Sequence, residues 1–140
     1  MKMKYQNNQL YCECQLVALW NAARFYGIND IPQMGTQLYD DICDKGCCVY
    51  GGCININHEW DRLNLKAIRG TMNLRWVKKN IPVHFAVFCH RGYHSVLAVK
   101  VVKNKITLAN YARNRLHTID WNILKSKHNK NVKPFAIKLR

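Results

Sequence analysis

The spacing of apolar residues changes near the middle of the chain. Between Cys14 and Gly27 they recur at the spacing of one helical face, at Leu16, Leu19, Trp20, Ala23 and Tyr26. This spacing predicts a helix that begins near Cys14 and ends at Gly27, a residue type that commonly closes helices. Because Ala18 and Ala22 also allow close packing, we expect this helix to be buried.

Shorter apolar clusters predict further helices in the first half and strands in the second. We expect helices over about 37–43, capped by Thr36, over 58–63, and after Thr71 or Asn73. Strands are predicted at 65–68, 82–89, 94–102, 106–110 and 133–139, with a short helix over 120–125. Helices followed by antiparallel strands indicate an α+β fold, in which N-terminal helices pack on a C-terminal sheet. The length of 140 residues favours a single domain over residues 1–140.

The sequence contains no segment typical of export or membrane insertion. No apolar run approaches the roughly 20 residues that a membrane-spanning helix needs. Residues 1–8 lack the apolar centre of a signal peptide. We therefore expect a cytoplasmic protein without a membrane partner. Seven cysteines in such a protein favour free thiols, catalysis or metal binding over disulfides, and their odd number excludes a complete internal disulfide framework.

The charge of the chain is divided unequally. Residues 1–64 hold five Lys or Arg and seven Asp or Glu, for a net charge of −2. Residues 65–140 hold 17 Lys or Arg and one acidic residue, Asp120, which gives +16 and a total of +14. Such a basic half is suited to nucleic acid or to an acidic protein partner, although a basic surface without a dedicated partner fits equally well.

The N-terminus of the predicted helix carries the strongest candidate for chemistry. The positive end of the helix dipole favours the thiolate of Cys14, which is the form of cysteine that attacks carbonyl groups. Cys12 is a rival nucleophile, but it lies two residues before the helix, outside the best position for the dipole. A nucleophile of this kind needs a base from elsewhere in the chain.

The candidate base is His94, which begins a predicted strand directly after a glycine turn. Asn110 ends the next strand and could orient the imidazole through its side-chain amide, as in Cys–His–Asn sites. The two lie ten residues before and six after Asn104 at the hairpin turn, so they are not directly opposite unless a bulge intervenes. Gln9 and the backbone N–H of Cys14 could donate to the developing oxyanion. Other residues could take part, namely His84, His90, His117 and Asp120.

The sequence resembles a known family at these residues. The segment Gln9…Glu13-Cys14…Ala18-Leu19…Asn21-Ala22…Arg24-Phe25-Tyr26-Gly27 is similar to the active-site segment of papain-like cysteine peptidases, especially the stand-alone relatives of the bacteriocin-leader-processing (double-glycine) peptidases. The runs Gly92-Tyr93-His94-Ser95-Val96-Leu97-Ala98-Val99 and Ile106-Thr107-Leu108-Ala109-Asn110-Tyr111 are similar to the family's histidine and acidic strands. The resemblance implies a papain-like fold, with Cys14 as nucleophile, His94 as base, Asn110 as orienter and Gln9 as oxyanion donor.

Two positions depart from the family pattern. Gln15 stands where the family usually has glycine after the cysteine, and Asn110-Tyr111 replaces an Asp-Pro pair. An asparagine still fits the orienting role, because papain-like enzymes use it there. The resemblance covers roughly residues 5–111 and indicates a thiol hydrolase without naming its substrate.

A cysteine-rich loop lies outside this resemblance. It has enough soft ligands for a zinc ion, but their spacing differs from that of paired structural zinc motifs, so a loop of free thiols is the alternative. The ligands concerned are Cys43, Cys47, Cys48, Cys53 and His58.

Taken together, these features predict a small cysteine peptidase or amide hydrolase that acts on a peptide or protein substrate without a metal or other cofactor. Two alternatives stay open: a catalytically silent peptidase-like module that binds nucleic acid or an acidic protein through its basic half, and an acyl transferase that uses the same residues. The richness in Lys, Asn and Ile is typical of an AT-rich genome, such as that of a phage.

Overall fold

Six antiparallel strands form one sheet that carries helices on both faces. The structure, a computed structural model, describes residues 5–6, 14–33, 36–37, 56–89, 92–112 and 115–140. Within these ranges the helices are α1 (Cys14–Phe25), α2 (Ile56–Arg62), α3 (Leu74–Asn80) and α4 (Trp121–Lys127). The strands are β1 (Leu65–Arg69), β2 (Val83–Cys89), β3 (Gly92–Val102), β4 (Lys105–Ala112), β5 (Arg115–Asp120) and β6 (Phe135–Leu139).

The sheet has the strand order β1-β6-β2-β3-β4-β5. Consecutive hairpins join β2 to β5, whereas β6 returns to pair with both β1 and β2. β3 is central, and its residues from Ser95 to Val99 are all buried. A strand buried on both faces has a continuous apolar run instead of an alternating one, which explains the sequence pattern here.

Two apolar cores lie on the two faces of the sheet. The first contains α1 together with β-strand residues that include Leu65, Leu97, Ala109 and Ile137. The second packs α3 and α4 against the other face, with Phe85 as its largest fully buried side chain. All eight residues from Leu16 to Ala23 are buried, as expected for a helix that lies within the core.

Local signals set the ends of the helices. Gly27 has a positive φ of 79°, and the bonds Gly27 N–H to Arg24 O and Ile28 N–H to Ala23 O form a Schellman motif after α1. The Asn73 side chain caps α3 by accepting from the N–H of Trp76, which decides between the two predicted starts of this helix. Asp120 caps α4 in the same way.

A hydrogen bond to a buried carboxylate connects α1 to α2. The Glu59 carboxylate is only 2% exposed and accepts a hydrogen bond of 2.9 Å from Trp20 Nε1. It also accepts two bonds of 2.8 Å from Arg62. Burial would raise the pKa of Glu59, but the bonds from Arg62 and Trp20 hold it below its ordinary value, so this carboxylate stays charged. The helix that carries Cys14 is therefore attached to its neighbour by the hydrogen bond from Trp20 to this carboxylate as well as by apolar packing.

Most predicted elements occur near their expected positions, with one omission. Strand β5 was not predicted, because its residues alternate weakly and lie at an exposed edge of the sheet. The predicted helix over 37–43 lies outside the described residues except for its first residue, and the cysteine loop from Cys43 to Cys53 lies wholly outside them. The single-domain assignment over residues 1–140 stays a prediction.

Candidate active site

Cys14 is the first residue of α1, and its thiol is free and partly buried. The first N–H groups of a helix have no partner within the helix, and the helix dipole adds partial positive charge there. The backbone of Gln6, three residues before Gln9, is bound to α1. The Asn21 side chain accepts from the N–H of Gln6 at 2.9 Å and donates to the carbonyl of Gln6 at 2.8 Å. The chain before α1 is thus attached to the helix at Gln6.

The thiol of Cys14 hydrogen-bonds to the imidazole of His94 and to the side chain and backbone of Ser95. Burial would raise the pKa of the thiol, but the bond to His94, the two contacts with Ser95 and the charge of His94 lower it below the ordinary value. Because a backbone contact that lowers a thiol pKa must donate, the group involved is the N–H of Ser95. All these contacts favour the thiolate.

The pKa of His94 shifts in the complementary direction. Burial would lower it, but the hydrogen bonds to Cys14 and to the backbone of Asn110, with the charge of the thiolate, raise it. Both shifts are in the direction that favours a thiolate–imidazolium pair, the form that activates cysteine nucleophiles.

Asn110 holds the ring of His94 through its backbone. His94 Nε2 hydrogen-bonds to the carbonyl oxygen of Asn110. Since a carbonyl only accepts, Nε2 carries the proton, and Nδ1 is the ring nitrogen that stays available to the thiol. The sequence predicted an orienting contact between these two residues through the side-chain amide, and the contact that the structure shows is made by the main chain instead.

The backbone conformation of Asn110 explains this contact. The pairing of β3 with β4 ends at Leu97 and Ala109, and the next residue, Asn110, has a φ of 62°. Asparagine tolerates this left-handed conformation better than most residues. The turn takes the Asn110 carbonyl out of the ladder and directs it to His94. In an unbroken register His94 would face residue 112, two positions further along β4.

Ser95 lies on β3 beyond Leu97 and Ala109, the last residue pair between β3 and β4 at this end. In a strand, the N–H and C=O of one residue point to the same neighbour. The N–H of Ser95 bonds to the Cys14 sulfur, and its carbonyl accepts from Asn110 Nδ2 at 3.4 Å. Cys14 and Asn110 therefore use the backbone groups of Ser95 that a longer β4 would have paired, so the candidate site lies at the end of the sheet.

The remaining predicted residues have various outcomes. Gln9, Cys12 and His90 lie outside the described residues, so the oxyanion role of Gln9 stays a prediction. His84 is not bonded to the thiol; its Nε2 lies 2.8 Å from the Ser95 hydroxyl. His117 bonds to the backbone of Ala112 on β4. The sequence analysis assigned no role to Ser95, because a serine within an apolar strand carries no signal of its own.

The basic half places lysines beside α3 and α4, on the face of the sheet opposite α1. A pocket of about 330 Å³ there is lined by Lys125, Lys130 and Lys133, among other residues. Asp120, the one acidic residue of this half, pairs with Lys105 at 3.2 Å. This face therefore has an excess of positive charge, which suits an acidic ligand.

The described part of the chain contains no group of three His, Cys, Asp or Glu side chains that could hold a metal ion. Four of the five predicted zinc ligands lie outside it, so the zinc site stays untested. None of the described helices is long and apolar enough to cross a bilayer.

Comparison with known proteins shows the fold. No protein-family profile matches the chain, and no curated protein is similar to it in sequence. Among solved structures, it is similar to the peptidase domain of Streptococcus ComA, described as a bi-functional ABC transporter involved in a quorum sensing pathway. The TM-score is 0.69 at 13% identity, and the match covers 99% of this chain and 100% of that one. The predicted α+β fold, with helices packed on an antiparallel sheet, is confirmed.

Proposed function

We propose that this protein is a cysteine peptidase, or a related thiol hydrolase, that cleaves an amide bond in a peptide or protein. The observation that carries the proposal is the hydrogen bond between Cys14, at the N-terminus of a buried helix, and His94, whose ring is held by the Asn110 carbonyl. The shared fold with a peptidase domain supports the same reading.

The geometry suits a two-step hydrolysis. His94 takes the thiol proton, and the Cys14 sulfur forms a bond to the substrate carbonyl carbon while the C=O electron pair moves to oxygen. The N–H of Cys14, with Gln9 as the predicted second donor, stabilises this oxyanion. The C–N bond then breaks, and His94 gives its proton to the leaving amine. Water, deprotonated by His94, attacks the thioester, and the acid and the free thiol are released. An amine in place of water would make the same site an acyl transferase.

The charge distribution favours an acidic substrate or partner. Lysines line the pocket beside α3 and α4, and no acidic residue of the described part of the chain lines it. The second candidate function, a binding module for nucleic acid or an acidic protein, rests on this same surface. Nucleic-acid binding through lysines weakens steeply with added salt. Such binding, if Cys14→Ala leaves it unchanged and no peptide is cleaved, would favour the module over the enzyme.

Alkylation with iodoacetamide tests the proposed enzyme. Cys14 should react fastest of the seven thiols at neutral pH, as followed by mass spectrometry of digested protein. The His94→Ala variant should slow the reaction of Cys14 about 100-fold, the lower end of the range for a general base. His58→Ala, which removes an exposed histidine from α2, is the matched control and should leave the rate unchanged.

Cleavage of a peptide library by the wild-type protein, abolished by Cys14→Ala, completes the test. The proposal fails if all thiols react at similar rates, or if His94→Ala and His58→Ala have the same effect on Cys14. A fast-reacting Cys14 without any cleavage, but with transfer of an acyl group to an added amine, would identify the transferase instead.

A further inference from the structure

A second pocket, of about 320 Å³, lies at the same end of the sheet as the candidate active site. One wall consists of Phe88 on β2 and Tyr93 on β3, which pair across the two strands. Tyr93 is the residue directly before His94. The other wall is the end of α4 and the segment after it, residues 126–131. This hairpin pocket therefore begins one residue along β3 from the proposed base.

Backbone contacts hold the second wall of the hairpin pocket against β2. His128 forms an isolated antiparallel bridge with Val87, and the N–H of Asn129 donates to the carbonyl of Ala86 at 2.8 Å. The ring of His128 is buried, and its Nε2 donates to the carbonyl of Val132 at 3.0 Å, since a carbonyl only accepts. The segment is thus attached to the edge of the sheet, and the hairpin pocket is part of the fold.

The first wall exposes large apolar side chains. Phe88 is 61% exposed and Tyr93 is 51% exposed, and their rings meet edge to face with centroids 5.8 Å apart. Covering aromatic surface of this kind with an apolar group of a partner removes it from water and is favourable. Aromatic residues are also enriched where proteins bind other chains. This wall is therefore suited to a large apolar side chain of a bound peptide.

The second wall is basic. Lys127 and Lys130 line the hairpin pocket, and no Asp or Glu among the described residues does so. Lys127 Nζ donates to the hydroxyl of Tyr111 at 3.0 Å, and Tyr111 directly follows Asn110 of the candidate site. A hydroxyl group fixes the position of the ammonium group without neutralising its charge. The positive charge beside the aromatic pair is therefore available to a carboxylate.

We propose that the hairpin pocket binds the substrate close to the cleaved bond and selects a peptide in which an acidic residue lies next to a large apolar one. The apolar side chain packs on Phe88 and Tyr93, and the carboxylate pairs with Lys127 or Lys130. This specificity rests on the proposed function, because it assigns the pocket to the substrate of Cys14. Single-stranded nucleic acid also combines negative charge with flat rings. The position beside the candidate active site favours the peptide.

Binding to the Cys14→Ala variant tests the pocket without cleavage. The probe is a fluorescein-labelled peptide that repeats Glu-Phe-Ser-Gly, and fluorescence anisotropy measures its affinity. The double variant Lys127→Gln/Lys130→Gln should weaken binding about tenfold, and Phe88→Ala should do the same, as expected for an aromatic anchor. Lys66→Gln/Lys103→Gln removes two exposed lysines that do not line the pocket and is the matched control for charge. It should bind the probe about as tightly as the unmodified surface does.

Equal losses of affinity in the two double variants overturn the proposal, as does tighter binding of single-stranded oligothymidylate than of the peptide. In the wild-type protein, library peptides that are cleaved should be enriched in Asp or Glu next to an aromatic or large aliphatic residue. Lys127→Gln/Lys130→Gln should lose this enrichment while Cys14 is still alkylated fast. Cleavage without any such enrichment overturns the specificity and leaves the peptidase proposal intact. A wild-type Cys14 that reacts like an ordinary thiol overturns both.

Discussion

The two ends of strand β4 have the same unusual backbone conformation and different consequences. Lys103, in the hairpin turn before β4, has a φ of 54°, and Asn110, near its other end, has a φ of 62°. At the turn the ladder is complete, since Val102 pairs with Lys105 immediately beyond the turn. At the other end the ladder stops at Leu97 and Ala109, and the candidate active site fills the space.

A sheet can hold an active site where the pairing of two of its strands stops. At the hairpin end, the ladder pairs Val102 with Lys105, and the turn carbonyl of Asn104 accepts from the N–H of Trp121 at 2.8 Å. At the site end, the left-handed residue releases a carbonyl for His94 and leaves the N–H of Ser95 to the Cys14 sulfur. Backbone groups are positioned more rigidly than long side chains, so they hold an imidazole and a thiolate with little loss of entropy.

The largest expected effect concerns pH at the site end. The lowered pKa of Cys14 and the raised pKa of His94 both favour a thiolate–imidazolium ion pair. At about pH 6 we expect Cys14 to be alkylated about 100-fold faster than an ordinary thiol, which is mostly protonated there. The same chain unfolded in urea is the control, and Cys14 should lose its advantage. Equal rates in the folded and unfolded chains would contradict the ion pair.

The sign of the linkage to stability follows from the same shifts. The thiol contributes stability above its unfolded pKa, and this contribution is lost as the pH falls through the folded pKa of Cys14. The imidazole contributes stability below its unfolded pKa, and this is lost as the pH rises through the folded pKa of His94. Cleavage of a peptide substrate should likewise decline as the pH falls through the folded pKa of Cys14 and as it rises through the folded pKa of His94.

The second prediction concerns the placement of α1, on which only the site end depends. Glu59→Ala removes the buried acceptor of Trp20 and Arg62 and should lower the free energy of unfolding by about 2–3 kcal/mol. Asp61→Ala is the matched control, since Asp61 is exposed and pairs with Arg140 at 2.7 Å; its loss should cost at most about 1 kcal/mol. Urea denaturation measures both. Equal losses would show that the buried bonds add nothing beyond a surface ion pair.

The third prediction separates the backbone of Asn110 from its side chain. Asn110→Gly keeps the left-handed conformation and the carbonyl, so Cys14 alkylation should stay within about threefold of wild type. Asn110→Val disfavours that conformation by about 1–2 kcal/mol and should slow alkylation about tenfold or more. If the two variants lose the same reactivity, the side chain orients His94 and not the carbonyl.

The sequence predicted the parts of the site that depend on side-chain type and on position in an element. The helix from Cys14, the strand that begins with His94 and the strand that contains Asn110 could all be predicted, because apolar spacing and a closing glycine mark them. The carbonyl contact could not be predicted, because every residue has a carbonyl, and its direction depends on φ at Asn110. Strand β5 could not be predicted, because an edge strand needs few apolar residues. The contacts of Ser95 could not be predicted, because they depend on where β4 ends.

The smallest expected effect belongs to the hairpin end. Lysine in the left-handed conformation is strained, and glycine is not. Lys103→Gly should therefore raise the free energy of unfolding by about 0.5–1 kcal/mol, since relief of strain exceeds the greater freedom of glycine in the unfolded chain. The rate of Cys14 alkylation should not change, because the paired residues from Leu97 to Val102, with a bulge at Val99, separate this turn from the site. A variant that is less stable would show that the Lys103 side chain supports the turn, and one with altered Cys14 reactivity would show that the two ends of β4 are coupled.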